Sequence, residues 1–552
     1  MQSEFLELDP AVPEQKKEKK VKADGILQAD LAVLILFLLL YVFLPLFTDG
    51  NTAGLFLPSF LVILAGYLLY PLALSKPVSI RVMRRVNRDQ TEGLSRALSK
   101  LSFGCVLSGI VMALLLTVFQ MFVSEQFFHV KSAMLPAVVA GAAFFLSSLQ
   151  AVPGGFLSGT GQGKKVIIAH VFRVCATLIT GVPLSVRGAI YGEKTDALLH
   201  TQTGIYTYGA LGIALGFLLG VLISGSYLLI AYLRGVRKIE QELESAIRPE
   251  IADAPSEHLR FPYAFSTLLI VIMIMSGLLL YVLLQPLEGD ALTHMALLNG
   301  IFSRAVFLQC ALGLVLCLFF VRGAYRMSAM ITKNDIASAR SLYKHLRFFI
   351  VFYTLPLSTI IAVLAESMMR VFERYPQPET VMAARISAVF VLTLPMIVFG
   401  TLTFLRIRKY IILYFNAAAV LAVFFVLFFI LSFLLKRPVA GALGAGALAC
   451  ALWAFLLYGT TSVMLGIRLR LFRDLFKYVI AALVGGLMAF VLNAILLPVI
   501  GEILTIVISA FIGFGFYFIV LIVLRAISVP DLYHLPFGDR IVPLLRRLHL
   551  VV

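Results

Sequence analysis

The stretch ILQADLAVLILFLLLYVFLPLF occupies residues 26–47 and holds a single charge, Asp30, in 22 positions. At 1.5 Å per residue a helix of that length spans about 33 Å, enough to cross the roughly 30 Å hydrocarbon core of a bilayer. Five lysines precede it (Lys16, Lys17, Lys19, Lys20, Lys22), and Thr48-Asp49-Gly50 follows with no small-x-small cleavage pattern. The run is also too long for the apolar core of a signal peptide, so it is read as a retained membrane span.

Thirteen more runs of this kind follow, over 54–75, 101–123, 133–159, 166–190, 206–233, 263–285, 296–321, 346–369, 381–404, 410–435, 439–465, 479–499 and 503–524. Hydrophobic residues make up 61% of the chain and charged residues 14%, against roughly 45–50% and about 25% in soluble domains. Such an excess of apolar surface needs lipid rather than a larger core. It excludes a string of soluble domains and intrinsic disorder alike. The expected fold is an all-α polytopic membrane protein of about fourteen transmembrane helices.

A net charge of +17 admits nucleic acid as a partner until the cations are placed. With loops alternating from a cytoplasmic N-terminus, 36 basic residues fall inside and seven outside (Lys131, Arg187, Lys194, Arg370, Arg374, Lys436, Arg437). This bias is the positive-inside rule, which places both termini in the cytoplasm of a multi-pass cell-membrane protein and leaves nucleic acid without a role. Three cations remain inside the spans: Arg173, Arg304 and Arg385.

The one long polar interruption, from Arg234 to Arg260, opens as a charged helical extension, Arg237-Lys238-Ile239-Glu240-Gln241-Glu242, and ends at Pro249 and Pro255. It separates six spans from eight. Across it, Asn87-Arg88-Asp89 with Arg96 and Lys100 is echoed by Lys333-Asn334-Asp335 with Arg340 and Lys344, the Arg–Lys pairs being 244 residues apart. A spacing of four puts each pair on one helical face beside the lipid headgroups, and Lys76 shares the inner loop of the first pair. Both loops follow the second span of a six-span unit, so the chain is read as two repeats, the usual architecture of secondary transporters. The expected units are a tail over 1–25, a first lobe over 26–233, a linker over 234–262, a second lobe over 263–465, an appended helical pair over 466–524 and a tail over 525–552.

A charge in hydrocarbon costs roughly 2.5–3.5 kcal/mol on insertion scales, so an intramembrane Arg calls for a partner or a water-filled cavity. Arg173, Arg304 and Arg385, with His170 on the same helical face as Arg173, are the candidates for lining a central cavity and gripping an anionic group such as a diphosphate. For Arg385, near the outer end of its span, snorkelling to the interface is the competing reading. Asp30 and Glu366 are the candidate ion-coupling acids, although Asp30 is read first as a solvated acid favoured by the dipole at its helix start. Gly159-Thr160-Gly161-Gln162-Gly163-Lys164-Lys165 fails as a phosphate loop, because Ser158 and Lys165 stand where that motif needs Gly and Ser or Thr. It is read as a tight inner turn. Gly216 and Gly220 form a GxxxG expected to mark close helix packing. The five cysteines lie in spans without paired spacing, no motif points to a metal or cofactor, and the longest outer loop, over 191–205, has no room for a catalytic domain.

Four stretches carry a family likeness. Ala73-Leu74-Ser75-Lys76-Pro77-Val78-Ser79-Ile80, with Asp89 and Arg96-Ala97, follows the second span, and Gly155-Phe156-Leu157-Ser158-Gly159 ends the fourth. Ala337 to Lys344, with Leu355-Pro356 and Leu364-Ala365-Glu366, brackets the ninth. Ile527-Ser528-Val529-Pro530-Asp531-Leu532, then Leu535-Pro536-Phe537-Gly538-Asp539, follows the last. In this order they resemble the multidrug/oligosaccharidyl-lipid/polysaccharide exporter superfamily, and within it the branch of lipid II flippases and the stage V sporulation protein B group. Gly154 and Ser158 depart from the family's Arg-Gly-x-x-Gln-Gly turn, and the first span offers Asp30 where lipid II flippases carry Arg. The resemblance implies a V-shaped pair of lobes that opens alternately to each side, a lipid-tail groove at the last two helices, and a cavity cation in helix eight, at Arg304.

The expected function is translocation of a polyprenyl-diphosphate-linked saccharide precursor across the cytoplasmic membrane, with Arg side chains holding the diphosphate and a potential or ion gradient driving the lobes. The expected partners are that lipid-linked anionic substrate and the bilayer, with a monomer acting beside cell-wall or polysaccharide synthesis enzymes. A cation-coupled multidrug exporter is the alternative, weakened by fourteen spans and by buried Arg where an acidic cavity is expected. A membrane-embedded glycosyltransferase or polymerase would need a long outer loop with acidic or His residues.

Overall fold

Hydrocarbon offers no partner to a peptide group, so a chain with this pattern must bond its backbone within each segment, and it does so as α-helix. The computed structural model describes residues 23–69, 71–87, 94–122, 134–200, 203–244, 291–373, 375–407, 410–435, 438–467, 471–527 and 542–543. Among these, every regular element is helical, and twelve helical stretches are long and apolar enough to cross a membrane.

Helix α1 (Ala23–Phe43) with a 3-10 turn at Leu44–Leu46 carries the first run, and α2 (Gly50–Leu69) the second; α3 (Pro71–Val86) follows. Then come α4 (Leu94–Phe122), a fourth crossing broken into α5 (Met134–Leu149) and α6 (Ala151–Gly159), α7 (Gly163–Leu199) and α8 (Gly204–Glu244). The seventh expected run, 263–285, lies outside the described residues. The eighth crossing consists of α9 (Ala291–Gly300), a π-helical segment at Ile301–Phe307 and α10 (Leu308–Thr332). After it come α11 (Ile336–Val363), a short α12 (Ala365–Phe372), a tenth crossing formed by α13 (Pro378–Ser387) and α14 (Val389–Arg406), α15 (Tyr410–Leu435), α16 (Pro438–Met464), α17 (Leu471–Ile500) and α18 (Glu502–Val523). The face where α1 begins is termed proximal and the opposite face distal.

The loop expected over 191–205 is mostly helix. Helices α7 and α8 hold 37 and 41 residues, about 55 and 60 Å at the α-helical rise, so the pair overruns the bilayer core. Asp196 in the last turn of α7 accepts hydrogen bonds from the backbone N–H of Gly204 (2.9 Å) and Ile205 (3.0 Å), satisfying two donors left open where α8 begins. His200 closes the turn at φ 52°. Hydrophobic periodicity stops after Ile190, where Glu193, Lys194 and Asp196 intervene, so the sequence reads as loop where the chain stays helical. Along the pair, a Cβ on Gly216 would lie 2.2 Å from the Gly181 Cα, which is the close packing expected of the glycine motif. The tight turn expected before α7 is also present, with Gly161 at φ 82°.

The helices before and after the linker meet along α1. Tyr41 is fully buried, stacks on Phe60 at 4.0 Å between ring centroids, meets Phe307 edge-on, and donates to Asn299 Oδ1 at 2.8 Å. Nearer the proximal end, Gln28 Nε2 donates to the Leu318 carbonyl at 3.4 Å. Helix α1 is thus bonded to the later helices near both of its ends. The appended pair α17–α18 packs on α11 through Phe352, whose ring is within about 6 Å of Phe514, Tyr517 and Phe518. Lys477 Nζ donates to the Leu524 carbonyl (3.0 Å) at the end of α18, where a cation opposes the helix dipole.

Because the Gly216–Gly181 approach is backbone on backbone, Gly216→Ala is expected to cost about 1–3 kcal/mol of stability. Gly154→Ala, with no atom within 4 Å of the new Cβ, should cost nothing measurable. Thermal unfolding of the detergent-solubilised variants, followed by size-exclusion chromatography, reads the difference; equal midpoints would refute the close approach.

Candidate functional site

The fourth crossing breaks at Gln150, and the break organises a polar centre among α1–α8. Gln150 Nε2 donates to the Val221 carbonyl of α8 at 2.7 Å. Its Oε1 accepts from Arg173 Nη2 of α7, and Arg173 Nε donates to Ser224 Oγ at 3.2 Å. Arg173, 1% exposed, thus fastens three helices together. A cation as deep as this is tolerable because its donors meet polar atoms, here the side chains of Gln150 and Ser224.

One turn before Arg173, His170 lines a small, partly open cavity of about 30 Å³, together with Asp30 of α1, Ser75 of α3, and Ser147, Gln150, Gly154 and Ser158 around the break. Asp30 lies seven residues past the first residue of α1, rather than at a solvated helix start. Its Oδ2 is buried and accepts no hydrogen bond from the protein, and Lys76 on α3 is within electrostatic reach. Gly155 and Gly159 let α6 lie directly on α3, since a Cβ on either would come within 2.7 Å of the Ser75 or Ser79 carbonyl oxygen. The two departures from the family's turn, Gly154 and Ser158, both face the cavity, and Gly154 has open space before it.

A second charged group sits at the distal face. Arg304, at the centre of the π-helical segment and 7% exposed, is ion-paired to Glu373, just past α12. The π-helical register is supported from α13, where Ser387 Oγ donates to the Ala305 carbonyl at 3.2 Å. Glu366 of α12 accepts from Arg370 at 2.7 Å and lies 3.9 Å from Arg385 Nη2, whose side chain is 55% exposed. Arg385 is therefore placed at the surface end of its crossing. The structure brings His170, Arg173 and Asp30 together in one place, and Arg304, Arg385 and Glu366 together in another; the three intramembrane Arg side chains do not converge on one cavity.

The proximal cations divide likewise. Arg340 Nε donates to the Leu465 carbonyl (2.9 Å) at the end of α16, while Lys344 and Lys100 are exposed. Arg96 is in the first turn of α4, its side chain outside the described residues. Lys333-Asn334-Asp335 forms a turn in which Asp335 caps α11 by accepting from the Ser338 N–H (3.2 Å); most of its counterpart, from Arg88 onward, lies outside the described residues.

The sequence reading passed over Gln150, Ser147, Ser224 and Glu373. A Gln beside Ser147 and Ser148 in an otherwise apolar run was the available signal for Gln150 and Ser147, and Ser224, 74 residues further on, had none. Glu373 offered none, because its partner is 69 residues away.

Removing Glu373 leaves a guanidinium buried without its counter-charge. Glu373→Ala should therefore lower stability by about 2 kcal/mol, less than a fully buried pair would lose because Glu373 is partly exposed. The exchanged pair Arg304→Glu with Glu373→Arg should recover part of that loss in the same thermal assay. A wild-type midpoint for Glu373→Ala would show that the pair contributes nothing.

No family profile and no curated protein sequence matches the chain. Solved structures do. A multidrug resistance MATE family transporter of the MOP superfamily, inward-facing, overlays with a TM-score of 0.54 and 14% identity over 81% of this chain and 96% of its own. The lipid II flippase MurJ, in an inward closed conformation, overlays with a TM-score of 0.50 and 13% identity over 90% of this chain and 97% of its own. A MOP superfamily transporter from Pyrococcus furiosus, described by a binding pocket of reverse polarity that suggests a different function, gives 0.55 and 13% over 81% and 99%. Helix order, helix breaks and the pairing across α1 thus lead to one conclusion about architecture: the chain has the fold of the MOP-superfamily transporters.

Proposed function

We propose that the protein is an ion-coupled membrane transporter, not an enzyme, and that it moves a polyprenyl-diphosphate-linked saccharide precursor across the cytoplasmic membrane by alternating access. The cavity among α1–α8 carries the transport reading. There an acid and an imidazole, Asp30 and His170, share a polar space inside a membrane-embedded bundle, and ionisable groups at such depth mark ion or substrate pathways. Asp30 sits on α1, the helix that also bonds to the later crossings through Tyr41 and Gln28. Binding or release of a cation at Asp30 changes the charge of an element that packs against both halves, which links occupancy to how the halves sit on each other.

A lipid-linked substrate is supported by the appended pair α17–α18, which turns apolar side chains such as Leu487, Phe490, Val507 and Phe511 outward. It is supported further by the likeness to the lipid II flippase, which extends over more of the chain than the likeness to the MATE transporter. One observation favours the second reading, a cation-coupled multidrug exporter. Arg173 and Arg304 are bonded within the protein, whereas Asp30 faces open space, an arrangement suited to a cationic cargo.

Proteoliposomes carrying a fluorescent polyprenyl-diphosphate sugar, with an imposed proton or sodium gradient, separate the two. Gradient-dependent flipping is expected, falling to background in Asp30→Asn. Expulsion of a cationic dye with no movement of the lipid would replace the flippase by the exporter.

A further inference from the structure

Near the distal end of α1, one hydroxyl stands between the parts of the chain before and after the linker. The Tyr41 hydroxyl lies 2.8 Å from Asn299 Oδ1 in the second half and 3.2 Å from the Ala53 carbonyl in its own. A phenol has one proton to donate, so it bonds one of these acceptors at a time, and the nearer acceptor belongs to the other half. Both side chains are buried. Around this bond the halves meet as rings: Tyr41 stacks on Phe60, and Phe307 lies 5.7 Å from both Tyr41 and Phe60. Leu55 and Leu298 belong to the same apolar cluster and are at most 1% exposed, so water does not reach the contact. Asn299 stands where α9 passes into the π-helical segment, and Ser303 Oγ bonds its carbonyl at 2.5 Å.

The contact towards the proximal face is of another kind, since Gln28 Nε2 and the Leu318 carbonyl are 3.4 Å apart and part-buried. The distal contact is therefore the tighter of the two. A buried bond that must break and re-form needs a second partner for each group, or its opening leaves a polar atom bare at a cost comparable to the bond itself. Tyr41 has that second partner in the Ala53 carbonyl, which it can reach without leaving its own half. Asn299 gains one in the water that enters as the halves part. We propose that Tyr41 and Asn299 form the distal gate of the transporter. The hydroxyl bonds Asn299 while the distal face is shut and passes to Ala53 as it opens, and the rings of Phe60 and Phe307 close the path around it. Both are positioning residues, acting on which face is open and not on the cargo. The assignment rests on the alternating-access reading and holds for either cargo.

Tyr41→Phe keeps the ring and its stacking but leaves Asn299 Oδ1 buried without its donor in the shut state alone. It should favour the open distal face about tenfold. Adding Asn299→Leu removes both polar groups and should restore the shut state to the wild-type level or beyond. Hydrogen–deuterium exchange of the full-length protein in lipid nanodiscs reads both variants. Tyr41→Phe should exchange faster over residues 38–57 and 296–307 and slower around Gln28 and Leu318, where the opposite face closes; the double variant should exchange no faster than the wild type at the distal positions. Unchanged exchange at the distal positions in Tyr41→Phe would overturn the gate. An equal rise on both faces would also overturn it, because that is the signature of lost packing alone. A distal rise without the proximal fall would instead refute alternation, the reading on which the gate's role rests, so the two fail on different observations.

Discussion

A peptide group surrounded by hydrocarbon has no water to bond, so wherever a membrane helix departs from α geometry another part of the protein must complete its hydrogen bonds. Three described crossings make such departures: at Ala388 in the tenth, Ser358 Oγ donates to the freed carbonyl at 2.8 Å, and at the other two a buried Arg lies alongside. At Gln150 the fourth crossing stops and restarts, and the side chains of Gln150, Arg173 and Ser224 bond one another across α5, α7 and α8. At Ile301–Phe307 the eighth crossing widens to π geometry, and Ser387 meets the Ala305 carbonyl from the neighbouring helix. In both of these the irregular backbone lies beside a buried Arg, and in both that Arg has found a partner inside the protein.

The first break also creates space. Because α6 begins anew at Ala151, it can turn to lie on α3, glycine against backbone, and the volume left between α1, α3, α6 and α7 is the cavity of Asp30 and His170. Helix α1 then has two roles. It walls this cavity, and it is bonded at Gln28 and Tyr41 to the crossings beyond the linker. An element that belongs to both a cavity and an interface is the physical requirement for coupling occupancy to a rigid-body change, since a ligand shifts an equilibrium only by interacting differently with its two states.

Much of the fold was legible in the sequence because the bilayer imposes a length and a hydropathy that a linear pattern reports directly. The run at 26–47 becomes α1 with its 3-10 extension, Gly216 marks a true backbone contact, and Gly159 to Gly163 marks a turn. The site was less legible, since a residue's partners depend on which helix faces it. Asp30 read as a helix-start acid because the helix is already formed at Ala23, before the apolar run begins, and because nothing near it in sequence announces that α3 and α6 pack over it. Arg304 and Arg385 read as equivalent intramembrane cations. One is buried and paired to Glu373, whereas the other is half exposed beside Glu366.

The sequence by itself determined that the chain crosses a membrane many times as α-helices, and which of its charges lie within those crossings. Those are consequences of composition and spacing against a solvent of known thickness. Only the tertiary structure decided that Arg173 is a fastener, that Arg304 is neutralised by an acid 69 residues away, and that Asp30, Ser75 and His170 line one space. These depend on the rotation and contact of helices far apart in the chain, which no local pattern encodes.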